Sequence, residues 1–98
     1  MRLLSASKET RILVLESWAL YGNVKDAKDA LIELSKTRPD KKITQEEINR
    51  KIKNISLNAK EIEIRELAKT ILFEIVKAEL DKKGLNLIKA KDLVEANP

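Results

Sequence analysis

The run from Asn58 to Leu85 constrains the fold of this chain more than any other stretch, because it carries helix signals at both ends and no breaker between them. Asn58 is suited to cap a first helical turn, and Glu61, three residues later, completes a capping box. Gly84 can adopt the left-handed conformation that commonly closes a helix. The sequence therefore predicts one long helix over about residues 58–83.

This predicted helix is apolar around most of its circumference, and its polar stripe is narrow. Such a helix must be covered by several elements of its own chain or by a partner chain. The first alternative makes it the central helix of a small bundle, and the second makes it the seam of a homodimer. Alternating steps of four and three residues suit contact with a nearly parallel or antiparallel helix. The residues with this spacing, which form the predicted oligomer interface, are Ile64, Ala68, Ile71, Ile75 and Ala78.

Shorter helices are predicted ahead of the long one, each beginning after a residue suited to N-capping. The three caps are Ser7, Asn23 and Thr44. Gly22 stops the first helix, and the second must end before Pro39, because the residue before a proline avoids the α conformation. The third helix is expected to be short, since Lys53–Leu57 leads directly to the predicted cap Asn58.

The chain is 98 residues long, which is a common size for one independently folding domain. Its hydrophobic content is 43%, but it has only three aromatic side chains, so the core must be aliphatic. After the long helix, an extended piece near residues 87–88 and a short helix near residues 90–95 are expected. The prediction is an all-α fold, a small bundle of four to five helices forming a single domain over residues 1–98.

Composition argues against several classes of function. The chain has no cysteine and no histidine, so it lacks thiolate metal ligands, disulfides, the commonest general base and the strongest neutral-pH nucleophile. Its two glycines, Gly22 and Gly84, are both explained as helix ends, which leaves no loop to cradle a phosphate. We therefore predict no enzymatic activity, no cofactor, no metal and no small-molecule substrate.

The absence of an apolar span or an evident signal peptide predicts a cytoplasmic protein with no membrane partner. The 37% charged content is typical of proteins from hot environments.

The net charge of +4 is confined to one segment of the sequence. Residues 1–35 and residues 54–98 each carry equal numbers of basic and acidic side chains. Residues 36–53 carry seven basic and three acidic side chains, so they hold the whole excess. Localised positive charge is what a phosphate-binding surface needs, because each neutralised phosphate releases counterions. A solvated, lysine-rich loop is the alternative explanation.

A motif in the same region points toward DNA. A capped helix that opens with Thr44-Gln45-Glu46-Glu47-Ile48 is followed by Ile55-Ser56 and then by the long helix. In this pattern Ile43–Leu67 resembles the helix-turn-helix of winged-helix and repressor-like DNA-binding domains. The resemblance implies a turn at Lys53-Asn54 and a recognition helix that begins near Ala59.

The start of that presumed recognition helix carries Glu61, Glu63 and Glu66, which would repel phosphates. Carboxylates in the major groove pair only with the amino group of cytosine. We therefore expect contacts to phosphates rather than base readout by the long helix. The predicted nucleic-acid-binding residues are Lys36, Arg38, Lys41, Lys42, Arg50 and Lys53.

Two functions follow as hypotheses. The first is a small helical protein that binds DNA or RNA, as a DNA-binding regulator or architectural factor acting as a homodimer. The second is a protein-interaction or assembly module that forms a helical homo-oligomer and binds no nucleic acid. The first depends on the basic segment, and the second depends on the two apolar faces of the long helix.

Overall fold

The computed structural model describes residues 7–82, and within them the chain forms four α-helices and no strand. Helix α1 spans Lys8–Tyr21, α2 spans Val24–Ser35, α3 spans Gln45–Asn58 and α4 spans Ile62–Lys82. This confirms the predicted all-α bundle with one long helix in its C-terminal half. The expected closure at Gly84 and the expected elements near residues 87–88 and 90–95 lie outside the described residues.

Each of the first three helices begins at its predicted cap. The Ser7 hydroxyl oxygen accepts a hydrogen bond from the Thr10 amide at 3.2 Å. The Asn23 side chain accepts one from the Asp26 amide at 2.9 Å. The Thr44 hydroxyl oxygen accepts one from the Glu47 amide at 3.2 Å. These bonds satisfy amide groups that the first turn of a helix leaves without partners.

The core is a continuous aliphatic cluster to which all four helices contribute. Its largest fully buried side chains are Leu31, Leu34, Ile48, Ile52, Ile55 and Ile64. Trp18 lies half-buried against this cluster, so it fills volume at the edge of the core. The face of α2 that packs into this cluster consists of Ala27, Ala30, Leu31 and Leu34, which are all buried.

The boundary between α3 and α4 differs from the prediction. Lys53–Leu57, expected to be a connector, lies inside α3, and Asn58 is the last residue of that helix rather than the cap of the next. The reason is burial. The apolar stripe of α3 continues beyond Ile52 through Ile55 to Ala59, and all three side chains are buried in the core. That tertiary contact outweighs the local cap signal at Asn58.

The same correction moves the turn implied by the helix-turn-helix resemblance. Lys53 and Asn54 are helical, and the connection between α3 and α4 is instead Ala59–Glu61. The Lys60 amide in this connection donates a hydrogen bond to the carbonyl oxygen of Leu20 at 2.8 Å. The turn is therefore attached to the end of α1.

Helices α1 and α3 lie side by side and begin at the same end of the bundle. Lys8, in the first turn of α1, contacts Asp40 just ahead of α3, and Glu16 contacts Lys51 at mid-helix. The hydrogen bond from the Lys60 amide to the Leu20 carbonyl oxygen lies at the opposite end of the bundle. The connections α1–α2 and α3–α4 are short, so α2 returns along α1 and α4 returns along α3. The α2–α3 connector therefore lies at one end and the α3–α4 turn at the other.

The predicted oligomer interface is divided by the fold. Ile64 and Ala68 are 1% and 0% exposed, within the core of their own chain. Ile71 and Ile75 are half-buried against that core, and only Ala78 is exposed. These five residues therefore do not form one exposed seam, because α2 and α3 already cover the first half of the face.

Gly22 is expected to resist substitution for a steric reason. Its φ is −74°, which any residue tolerates, but an added Cβ would lie 2.6 Å from the backbone oxygen of Trp18. That oxygen also accepts the hydrogen bond from the Gly22 amide at 2.8 Å. We expect Gly22→Ala to lower the free energy of unfolding by about 1–3 kcal/mol, measured by urea denaturation. An unchanged denaturation midpoint would contradict this interpretation of the turn.

Candidate nucleic-acid interface

The basic connector, residues 36–44 between α2 and α3, exposes a cluster of cationic side chains. Its four exposed cations are Lys36, Arg38, Lys41 and Lys42. None of them forms an ion pair with any residue in the range 7–82. Their positive charge therefore faces solvent without a carboxylate partner from the described bundle.

The connector has a fixed conformation because Asp40 binds its backbone. Asp40 Oδ1 accepts hydrogen bonds from the amides of Lys42, at 2.9 Å, and Ile43, at 2.8 Å. In return the Asp40 amide donates to the Ile43 carbonyl oxygen at 2.7 Å. The Ile43 side chain is buried in the core, and Pro39 restricts φ just upstream. These contacts hold the exposed cations on an ordered loop.

Lys8, from the first turn of α1, crosses to the connector and binds it twice. Its Nζ donates a hydrogen bond to the backbone oxygen of Arg38. The same nitrogen forms an ion pair with Asp40 Oδ2 at 3.2 Å. Lys8 therefore holds the loop against α1 and neutralises the one carboxylate within it. The sequence did not indicate Lys8, because it lies some thirty positions away in a segment whose charges cancel.

These contacts keep Asp40 ionised. The hydrogen bond from the Ile43 amide has the largest effect, followed by the hydrogen bond from Lys8, and together they lower the pKa of Asp40 below its usual value of 3.8. The carboxylate charge is thus permanently present at neutral pH. Because Lys8 balances the negative charge of Asp40, that charge does not reduce the positive charge of the four exposed cations.

The order of the connector is expected to depend on pH only in strong acid. A carboxyl group whose pKa is lowered by folding stabilises the fold above its unfolded pKa and loses that effect as the pH falls through its folded pKa. We expect the NMR signals of the Lys42 and Ile43 amides to shift together in acid, with a midpoint below the usual value of 3.8. A shared midpoint above 3.8 would contradict the assigned role of Asp40.

The other predicted site residues lie elsewhere. Arg50 is exposed on α3 but forms an ion pair with Glu47 at 3.0 Å. Lys53 is half-buried and takes part in an interaction of its own. Four of the six predicted residues therefore lie on the connector, whereas Arg50 and Lys53 lie on α3.

Lys51 is a further basic residue of the 36–53 segment, but its side chain is largely buried. It turns inward to Glu16 of α1, with Nζ 3.4 Å from the carboxylate and both side chains only 16% exposed. Glu16 also accepts a hydrogen bond from Asn54 at 3.1 Å. This pairing joins α1 to α3, so Lys51 has a structural role. A sequence count of charges cannot separate such an inward lysine from an outward one.

None of the helices α1–α4 combines the length and the apolar character needed to cross a bilayer. The described part of the chain also brings no three acidic side chains into an arrangement that would hold a metal ion. Comparison with protein-family models, with curated proteins and with solved structures finds no match to this chain.

Proposed function

We propose that this protein binds nucleic acid through the phosphates, with the basic connector as the contact surface. The single observation that carries the proposal is the set of four exposed, unpaired cations on a loop that Asp40 and Lys8 hold in place. An ordered loop loses little conformational freedom when it binds, so more of the electrostatic attraction contributes to affinity. A DNA-binding regulator or architectural factor would use such a surface.

Contacts to phosphates suit this surface better than contacts to bases. The first turn of α3, next to the connector, carries Glu46 and Glu47, and the first turn of α4 carries Glu63. Carboxylates at these positions disfavour entry of either helix into a groove. The proposal therefore does not depend on the helix-turn-helix resemblance, which stays a prediction, and it assigns no base-reading role to α4.

Fluorescence anisotropy tests the proposal directly. A labelled mixed-sequence DNA duplex is titrated with the protein at low salt and again at several higher salt concentrations. Four phosphate contacts predict a slope of about −3.6 in a plot of log K against log salt concentration. No change in anisotropy at low salt and high protein concentration would refute the proposal.

Asp40→Asn is expected to strengthen binding. The asparagine side-chain oxygen can still accept the hydrogen bonds from the Lys42 and Ile43 amides. The ion pair with Lys8 is lost, but Lys8 can still donate to the Arg38 carbonyl oxygen, so the loop keeps most of its contacts. The substitution removes a negative charge and leaves the charge of Lys8 unbalanced. We expect affinity for a duplex to rise about threefold at low salt, with a steeper salt dependence, measured by the same titration. Weaker binding with an intact fold would contradict this electrostatic account.

A second candidate function, self-assembly, is favoured by exposed apolar side chains at the opposite end of the bundle. We call Tyr21, Leu57 and Ile62 the apolar tip; they are 69%, 59% and 63% exposed. They lie at the end where the Lys60 amide bonds to α1. A homodimer joined there would bury these side chains and leave the basic connector exposed. Light scattering at high concentration tests it: a dimer that Leu57→Lys dissociates would favour assembly, and a strict monomer would exclude it.

A further inference from the structure

We infer that the basic connector binds the backbone of double-stranded nucleic acid in preference to single strands. This inference rests on the proposed function and goes beyond it, because it names the form of the polymer. It comes from what the surface contains, which is a dense group of cations, and from what it lacks, which is any aromatic side chain.

Single-strand binding draws much of its affinity from stacking of bases on aromatic rings, about 1–3 kcal/mol per base. The whole chain has three aromatic residues, and none lies in the basic connector. Trp18 packs half-buried against the core, and Phe73 is half-buried on α4. Tyr21 is well exposed, but it belongs to the apolar tip at the far end of the bundle. An unpaired base held at the connector would therefore find no ring of the connector to stack on.

The arrangement of charge also favours a duplex. The four cations lie on seven consecutive residues, Lys36 to Lys42, so their backbone spans at most about 20 Å. A duplex presents one phosphate for every 1.7 Å or so of its axis, about twice the density of one strand. The same compact surface can thus neutralise more phosphates on a double helix than on a single strand.

Neighbouring carboxylates limit recognition to the backbone. Glu46 is exposed on the first turn of α3, and Glu47, beside it, is bound to Arg50. The exposed Glu46 repels phosphates that approach along α3, which favours contact on the connector side. Contacts to the backbone carry no sequence information, so duplexes of unrelated sequence should bind alike.

The test is an anisotropy series at one low salt concentration with the full chain. The probes are two labelled 16-base-pair DNA duplexes of unrelated sequence, each of their separated strands, and one RNA duplex. We expect the two DNA duplexes to bind within about twofold of each other and about three- to tenfold tighter than any single strand. The RNA duplex shows which backbone geometry fits better, and a duplex of either type that binds tighter than every single strand supports the inference.

The two ways of failing are distinct. Equal or tighter binding of single strands would overturn the preference for duplexes and leave phosphate binding in place. A difference of more than tenfold between the two DNA duplexes would also overturn it, because it would require base readout. Absence of binding to every probe would refute the proposed function itself.

Discussion

Replacing the four exposed cations of the basic connector by glutamine is expected to abolish measurable binding to nucleic acid. The residues are Lys36, Arg38, Lys41 and Lys42. Affinity falls with each cation that is removed, because binding with fewer phosphate contacts releases fewer counterions. We expect at least a hundredfold weaker binding at low salt, roughly the combined effect of four phosphate contacts. Fluorescence anisotropy with a mixed-sequence duplex measures it.

A control variant distinguishes the effect of removing charges at the connector from the effect of lowering the net charge of the protein. It replaces by glutamine four exposed lysines of α2, the α3–α4 turn and α4, which are Lys25, Lys28, Lys60 and Lys69. Both variants have the same formal charge. The control should keep its affinity within about threefold, because local rather than net charge contacts the polymer. An equal reduction of affinity in the two variants would show that binding depends on overall charge and would contradict a site at the connector.

Leu31→Ala is expected to have the largest effect on stability. Leu31 is fully buried in α2, at the centre of the aliphatic core. Removing its side chain forfeits transfer free energy and leaves a cavity, at a cost of about 2–5 kcal/mol. Because domains of this size are stable by only about 5–15 kcal/mol, the destabilisation should be plain in urea denaturation followed by circular dichroism.

Leu57→Ala is the control for the core variant, because Leu57 carries the same side chain but is 59% exposed at the apolar tip. Its free energy of unfolding should change by no more than about 0.5 kcal/mol. Similar destabilisation in both leucine variants would mean that Leu57 is covered in solution. That outcome would favour the assembly of copies through the apolar tip.

Much of the fold could be predicted because its signals are local. Ser7, Asn23 and Thr44 cap helices with side chains that bond three residues ahead, so the sequence contains the whole interaction. The error at Asn58 has the opposite cause. A cap signal competed there with burial of Ile55 and Ala59 against other helices, and no local pattern reports which interaction is stronger.

The sequence predicted where the positive charge of the candidate site lies, but it could not predict how the side chains are arranged. Counting residues located the positive excess, yet it could not separate Lys51, which turns inward to Glu16, from the exposed Lys41. The role of Lys8 depends on α1 and the connector meeting at one end of the bundle. Such a contact between distant residues arises only from the packing of helices.

The most direct test of the central claim is an NMR titration of the amides of the labelled protein with a short, unlabelled DNA duplex at low salt. Binding at the basic connector predicts shifts concentrated in residues 36–44 and at the start of α1, near Lys8. The amides around Tyr21 and Leu57, at the other end of the bundle, should stay unchanged. Shifts confined to the apolar tip, or no shifts at all at saturating duplex, would contradict the account.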